Sequence, residues 1–178
     1  LTAGTPDAFT VVATKTVGDS PASAPSTAVT PFTVPDAPAS VAAVPGNGSA
    51  SISWTAPSAN GSAITLYTVT ASGGGGTCST STTSCVVPGL ANGTAYTFSV
   101  VATNAAGDGP AGTSGSVTPF TVPGAPTGVS GVAGNTQVTV SWTAPASTGG
   151  SNITGYTVTA IGGSGGTCSA VAPATPCP

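Results

Sequence analysis

Along most of the chain, apolar and hydroxylated residues alternate. Ile52 and Trp54 stand between Ser51, Ser53 and Thr55, and Val138, Val140 and Trp142 between Thr139, Ser141 and Thr143. Tyr67, Val69 and Ala71 alternate with Thr68 and Thr70; Tyr96, Phe98, Val100 and Ala102 alternate with Thr97, Ser99 and Thr103 in the same way. A strand points successive side chains to opposite faces, so each run predicts a strand with one apolar and one hydroxylated face. No run has helical spacing. Gly- and Pro-rich breakers at 57–61, 73–76, 88–93 and 107–110 separate the runs. About seven short strands within roughly 88 residues predict an all-β, two-sheet sandwich.

The pattern then repeats. TPFTVPDAP at 30–38 returns as TPFTVPGAP at 118–126, ITLYTVTAS at 64–72 as ITGYTVTAI at 153–161, and GGTCST at 75–80 as GGTCSA at 165–170. FTVVATKTVGDSPA at 9–22 matches FSVVATNAAGDGPA at 98–111. Self-similarity at such a period marks a tandem array. The phase predicts one complete domain at 34–120, preceded by the end of another at 1–33 and followed by the beginning of a third at 121–178. Linkers around 32–38 and 120–126 are short and punctuated by Pro, which predicts neighbours held end to end. The opening LTAGTPDAFT has neither an initiator Met nor a charged-then-apolar leader, so the chain reads as a mature or internal fragment.

Composition narrows the chemistry. Of 178 residues, Lys15 is the single cation, four are acidic and none is His, giving a net charge of -3. Nucleic acid and anionic membrane surfaces are therefore not expected as partners. No apolar stretch approaches the roughly 20 residues of a membrane helix, so no membrane insertion is expected. Without His no nucleophile relay can be assembled, and neither zinc nor calcium ligand sets are present. Asp7, Asp19, Asp36 and Asp108 each neighbour Gly, Pro or Ser and read as turn residues. Neither catalysis, nor a cofactor, nor a metal is expected. The four Cys fall into two local pairs, Cys78/Cys85 and Cys168/Cys177, whose spacing reads as two disulfides joining nearby strand ends; four free core thiols are the other reading.

The motifs resemble fibronectin type III domains, in the Ser/Thr-rich, low-charge form met in secreted bacterial proteins. P-x-A-P opens the first strand, Trp54 and Trp142 match the strand-B Trp, and Tyr67 and Tyr156 match the strand-C Tyr. PGLANGTAYTFSVVATNAAGDGP at 88–110 completes the likeness. The resemblance implies an Ig-like, seven-stranded β-sandwich in tandem. It further implies a tyrosine corner at Tyr96, with its hydroxyl on backbone near the E–F turn, and a core plug at Leu90. Asp7 stands where Tyr96 does, so the first unit should lack that corner. Strands F and G fall in 1–33, and strands A, B, C and C′ in 121–178, with strand E missing there.

Half sandwiches expose edges and half a core, so both end pieces should be completed, either by covalent continuation or by head-to-tail strand exchange between copies. VGDSP at 17–21 occupies the F–G position of an integrin-binding motif but has Val17 in place of the Arg, and no integrin ligand is expected. Asn47, Asn60, Asn92 and Asn152 begin N-x-Ser/Thr sequons, and outward hydroxyl rows offer O-glycan sites, so glycans join copies of the chain itself as expected partners. Trp54, Trp142, Tyr67 and Tyr156 read as core and not as a sugar platform. The expected function is a non-catalytic structural repeat of an extracellular bacterial filament, stalk or sheath, secreted or on the cell surface. The alternative is a spacer or adhesion module in a larger secreted adhesin or polysaccharide-degrading enzyme.

Overall fold

The computed structural model describes residues 1–162, 165–173 and 176–177. In the middle of the chain β3 (Ala39–Gly46), β4 (Ser49–Thr55) and β7 (Ser84–Pro88) form one sheet, in the order β3-β4-β7. β5 (Leu66–Ala71), β6 (Thr77–Thr80), β8 (Phe98–Asn104), β9 (Gly107–Asp108) and β10 (Gly112–Thr113) form the facing sheet, in the order β10-β8-β5-β6 with β9 also on β8. All pairings are antiparallel. The last strand of the sandwich is split into β9 and β10, which otherwise accounts for the seven strands expected.

Strict alternation places the core. Ala50, Ile52 and Trp54 on β4 face Tyr67, Val69 and Ala71 on β5 and Phe98, Val100 and Ala102 on β8, all buried, while the Ser and Thr between them stay outside or half-buried. Complete burial of a side chain such as Ile52 or Phe98 stabilises by roughly 1.5–3 kcal/mol. The rings of Trp54 and Tyr67 meet at 5.2 Å and 59°, a tilted contact between the sheets. Burial there pushes the Tyr67 phenol pKa up.

The first segment has β1 (Thr14–Lys15) and β2 (Gly18–Asp19), joined as a hairpin. Beyond the hairpin the two chains run on in an unusual ladder. Ser20, Ser23 and Ser26 donate their own N–H to the carbonyls of Ala13, Val11 and Phe9 at 2.8–2.9 Å. Their Oγ atoms accept the N–H of the same three residues at 3.0 Å. One strand advances by three while its partner advances by two, and each serine oxygen takes the place of the missing carbonyl. Ser114 repeats the device once against Phe98. The three-residue spacing of Ser in SPASAPS is its visible signal, and an alternation search with period two passes over it.

The third segment contains β11 (Thr127–Ala133), β12 (Val138–Thr143), β13 (Gly155–Thr159), β14 (Thr167–Val171) and β15 (Pro176–Cys177). They lie as β11-β12-β15 and β13-β14. Strand E was expected to be missing from this unit, and that is corrected at its last residues. Cys177 pairs with Val140 of β12 as Cys85 pairs with Ile52 of β4, so the strand-E position has begun to fill.

Candidate functional site: the seams between units

The residues with unusual geometry gather where one unit meets the next. At the first seam Gly4 lies on Gly61, and the Gly4 N–H donates to the Pro31 carbonyl at 2.8 Å. At the second, Gly93 lies on Gly150, and the Gly93 N–H donates to the Pro119 carbonyl at 2.9 Å. Linker amides then bond the loop after the second sandwich strand, twice over. Thr33 N–H donates to Asn60 O at 3.1 Å and Asp36 N–H to Ser58 O at 3.1 Å; Thr121 N–H donates to Gly149 O at 2.7 Å and Gly124 N–H to Ser147 O at 2.9 Å.

Glycine is required at the contact for two reasons. Gly61 and Gly150 have φ of 92° and 97°, which L side chains rarely adopt. A Cβ on Gly150 would stand 2.6 Å from Gly93 N and 2.9 Å from Pro119 O, and one on Gly61 would stand 2.7 Å from Gly4 N. Backbone meets backbone with no side chain between, so a linker of a few residues has no slack.

Side chains brace each seam differently. Asn104 is buried at 5% exposure, and its amide nitrogen donates to Thr33 O (2.8 Å), Ala59 O (3.0 Å) and Ser62 O (3.3 Å) while its oxygen accepts Ala106 N–H at 2.8 Å. It thereby ties β8 to the first linker and to the loop that receives it. The Asn60 amide nitrogen donates to Val34 O and Asp36 Oδ1, both at 3.0 Å. At the second seam, the Tyr96 hydroxyl accepts Ala91 N–H at 3.1 Å. Asn92 accepts Gly48 N–H and donates to Asn47 Oδ1, both at 2.9 Å. These contacts hold the loop that presents Gly93. Asn104 and the seam glycines escaped the sequence reading; the recurrence of Gly-Ser at 61–62 and 150–151 was the available signal.

The other expected residues fall as follows. Cys78 is bonded to Cys85 and Cys168 to Cys177, with Cα atoms 6.5 and 6.2 Å apart, each joining the two facing layers of its unit. Leu90 and Tyr96 are buried against the same core as Trp54 and Tyr67. Trp142 meets Tyr156 at 5.1 Å, copying the Trp54–Tyr67 contact. Asp7, read as a turn residue, instead bridges to Val29, in the place where Tyr96 bridges to Val117. Asp108 accepts the Thr103 hydroxyl at 2.6 Å. Among the described residues no cluster of three potential metal ligands forms, and no helix is long and apolar enough to cross a membrane.

No curated protein matches the sequence. Among solved structures, a two-domain fibronectin type III segment of chicken tenascin is 25% identical with a TM-score of 0.43, covering 79% of this chain and 81% of that one. A multidomain segment of titin is 28% identical with a TM-score of 0.45, covering 53% of this chain, which spans only 36% of the titin segment. The family model for the fibronectin type III domain matches residues 36–118. These residues, with their two facing sheets, are a fibronectin type III domain, a structural and adhesion-type module that is generally non-catalytic.

Proposed function

We propose that this chain is a non-catalytic structural segment of an extracellular array, a filament, stalk or sheath of a bacterial surface, whose partners are copies of the same kind of unit set head to tail. The carrying observation is that one seam is built twice from the same main-chain bonds, Gly4 on Gly61 and Gly93 on Gly150. A tether that only separates domains has no need of close backbone contact. A rod that transmits length or force does, because each unit must be oriented by the one before it.

The setting fits this reading. Disulfides persist in oxidising compartments, and Cys78–Cys85 and Cys168–Cys177 cross-link the two layers of their units. With 3% charged residues, the outer faces carry Ser and Thr in place of charge, suited to contact with other copies or to glycans. Among the sequons, Asn60 and Asn92 already use their amide nitrogens within the fold, whereas Asn47, which only accepts from Asn92, and Asn152 are exposed with theirs available, so Asn47 and Asn152 are the sites a glycan would take.

Backbone 15N relaxation on the 178-residue chain tests the rod. One anisotropic tumbling tensor is expected to account for residues on both sides of each seam. Independent tumbling of 1–30, 40–118 and 127–162 would show a flexible string and overturn the proposal.

A further inference from the structure

We propose that Asn92 is a self-modification site gated by the second seam: when the seam opens, its side chain cyclises onto the main-chain nitrogen of Gly93, and the seam then cannot reclose. The inference rests on the seam geometry and on the rod reading built from it. Asn-Gly occurs three times in the chain, at 47–48, 60–61 and 92–93. In such a step the glycine nitrogen can reach the asparagine Cγ because the glycine has no Cβ to obstruct the turn. At 92–93 the attacking nitrogen is part of the seam itself.

The closed seam holds that nitrogen. Gly93 N–H donates to Pro119 O at 2.9 Å, and Gly150 lies so close that a Cβ on it would stand 2.6 Å from Gly93 N. A nitrogen bonded and covered in this way keeps its proton and is kept from Cγ. The Asn92 side chain is held from the other direction, by bonds inside the middle domain. Its Oδ1 accepts Gly48 N–H and its Nδ2 donates to Asn47 Oδ1, both at 2.9 Å. The Gly48 N–H therefore points at the oxygen on which negative charge develops when Cγ is attacked. Opening of the seam frees the nucleophile while the carbonyl stays polarised. Asn92 and Gly93 are both exposed, so water reaches the site.

The chemistry needs only water. Solvent base removes the Gly93 amide proton, the N–Cγ bond forms, and the Cγ–Nδ2 bond breaks as ammonia leaves with a proton returned from solvent. Water then opens the resulting five-membered imide. Attack at Cγ gives aspartate, and attack at the main-chain carbonyl gives isoaspartate, in which the chain runs through Cβ. Both products lose the Nδ2 donor to Asn47, and isoaspartate adds one atom to the backbone directly before Gly93. Because Gly93 meets Gly150 backbone to backbone, the lengthened loop no longer seats. A seam held open for long enough is thereby recorded covalently, and the array gains a permanent hinge there. The other two steps are restrained within the middle domain. Gly48 N–H is held by Asn92, and the Asn60 amide is held by Ser58, Val34 and Asp36, with no part played by the third segment.

Peptide mapping of the full chain after incubation at mildly alkaline pH tests this, with aspartate and isoaspartate counted at 47, 60 and 92. In the native wild type, conversion at Asn92 is expected to be at least about tenfold slower than in the same chain reduced and unfolded in urea, because a seam closed about nine-tenths of the time or more frees the nitrogen only for the remainder. Gly150→Val displaces the contact and leaves Asn92 and Gly93 in place. It should remove most of the protection at Asn92 and leave Asn47 and Asn60 at their wild-type rates, which also shows that the middle domain has stayed folded. Wild-type chains isolated after conversion to isoaspartate at 92 should have a third segment that tumbles freely. Equal conversion at Asn92 in native and unfolded chains, no rise there in Gly150→Val, a rise at all three steps together, or converted chains whose third segment stays locked would each overturn the proposal. Relaxation on the unconverted wild type answers separately for the rod, so failure of the latch is distinguishable from failure of that reading.

Discussion

The first and second seams share their main-chain bonds and differ in what stiffens them. The first is braced on the receiving side, where Asn60 and Asn104 reach from the middle domain to the linker. The second is braced on the presenting side, where the Tyr96 hydroxyl and Asn92 fix the loop that carries Gly93. The copy of Tyr96 at the first seam is Asp7, and the copy of Asn60 at the second is Gly149. The glycine contact and its amide bonds are thus the common device, and the braces are additions particular to each seam. Each brace can be removed without disturbing the other seam.

The largest effect is expected from the shared device. Gly150→Val forces a β-branched residue into φ of 97° and pushes a Cβ into Gly93 N, neither of which a rotamer change relieves. The third segment should then tumble independently of residues 40–118, whereas Gly61→Val should free the first segment alone. If both segments stay locked in both variants, the contact is incidental. Next comes Asn104→Leu, which leaves the carbonyls of Thr33, Ala59 and Ser62 and the Ala106 N–H without their partner at a nearly buried position. Destabilisation of the middle domain by about 1–3 kcal/mol in chemical denaturation is expected, with loosening confined to the first seam. Tyr96→Phe keeps the ring and deletes one bond to Ala91 N–H. About 1 kcal/mol should be lost, and extra motion should appear around Gly93 and not around Gly4.

How much of this was legible follows from what kind of pattern each feature leaves. Residues such as Ile52, Val69 and Val100 advertise their face through alternation, because a period-two strand has only two faces to choose from. Repetition and Cys spacing exposed the units and the cross-links, and the likeness of 88–110 to its family placed Leu90 and Tyr96. The seam was hidden because its chemistry is backbone chemistry. Nothing in the letters Gly4 or Gly150 says that two chains touch there, since glycine in a turn and glycine at a close approach look the same. Asn104 was hidden for a related reason. Its alternation marks it as inward, but which carbonyls it satisfies depends on a linker 71 residues earlier. The start of strand E at Pro176–Cys177 was missed because two residues carry no period.

The smallest effect sharpens the comparison most. Asn60 and Gly149 hold the same place, both with left-handed backbone at φ of 49° and 76°. Asn60→Gly should convert the first seam into the form of the second. It deletes the bonds to Val34 O and Asp36 Oδ1, a loss of about 0.5–1 kcal/mol partly offset by relief of the left-handed conformation. The main-chain bond from Thr33 survives, so tumbling across the seam should change little. The reverse exchange is not symmetrical. A Cβ on Gly149 would meet Thr121 O, and would stand 2.7 Å from Val122 O. Gly149→Asn should therefore open the second seam despite supplying the brace that the first one uses. Equal and mild effects in both directions would mean that the linker adapts to the side chain. A mild effect at 60 with a severe one at 149 would mean that the second linker runs too close to its receiving loop to admit any side chain, so that Tyr96 and Asn92 had to brace it from the other side.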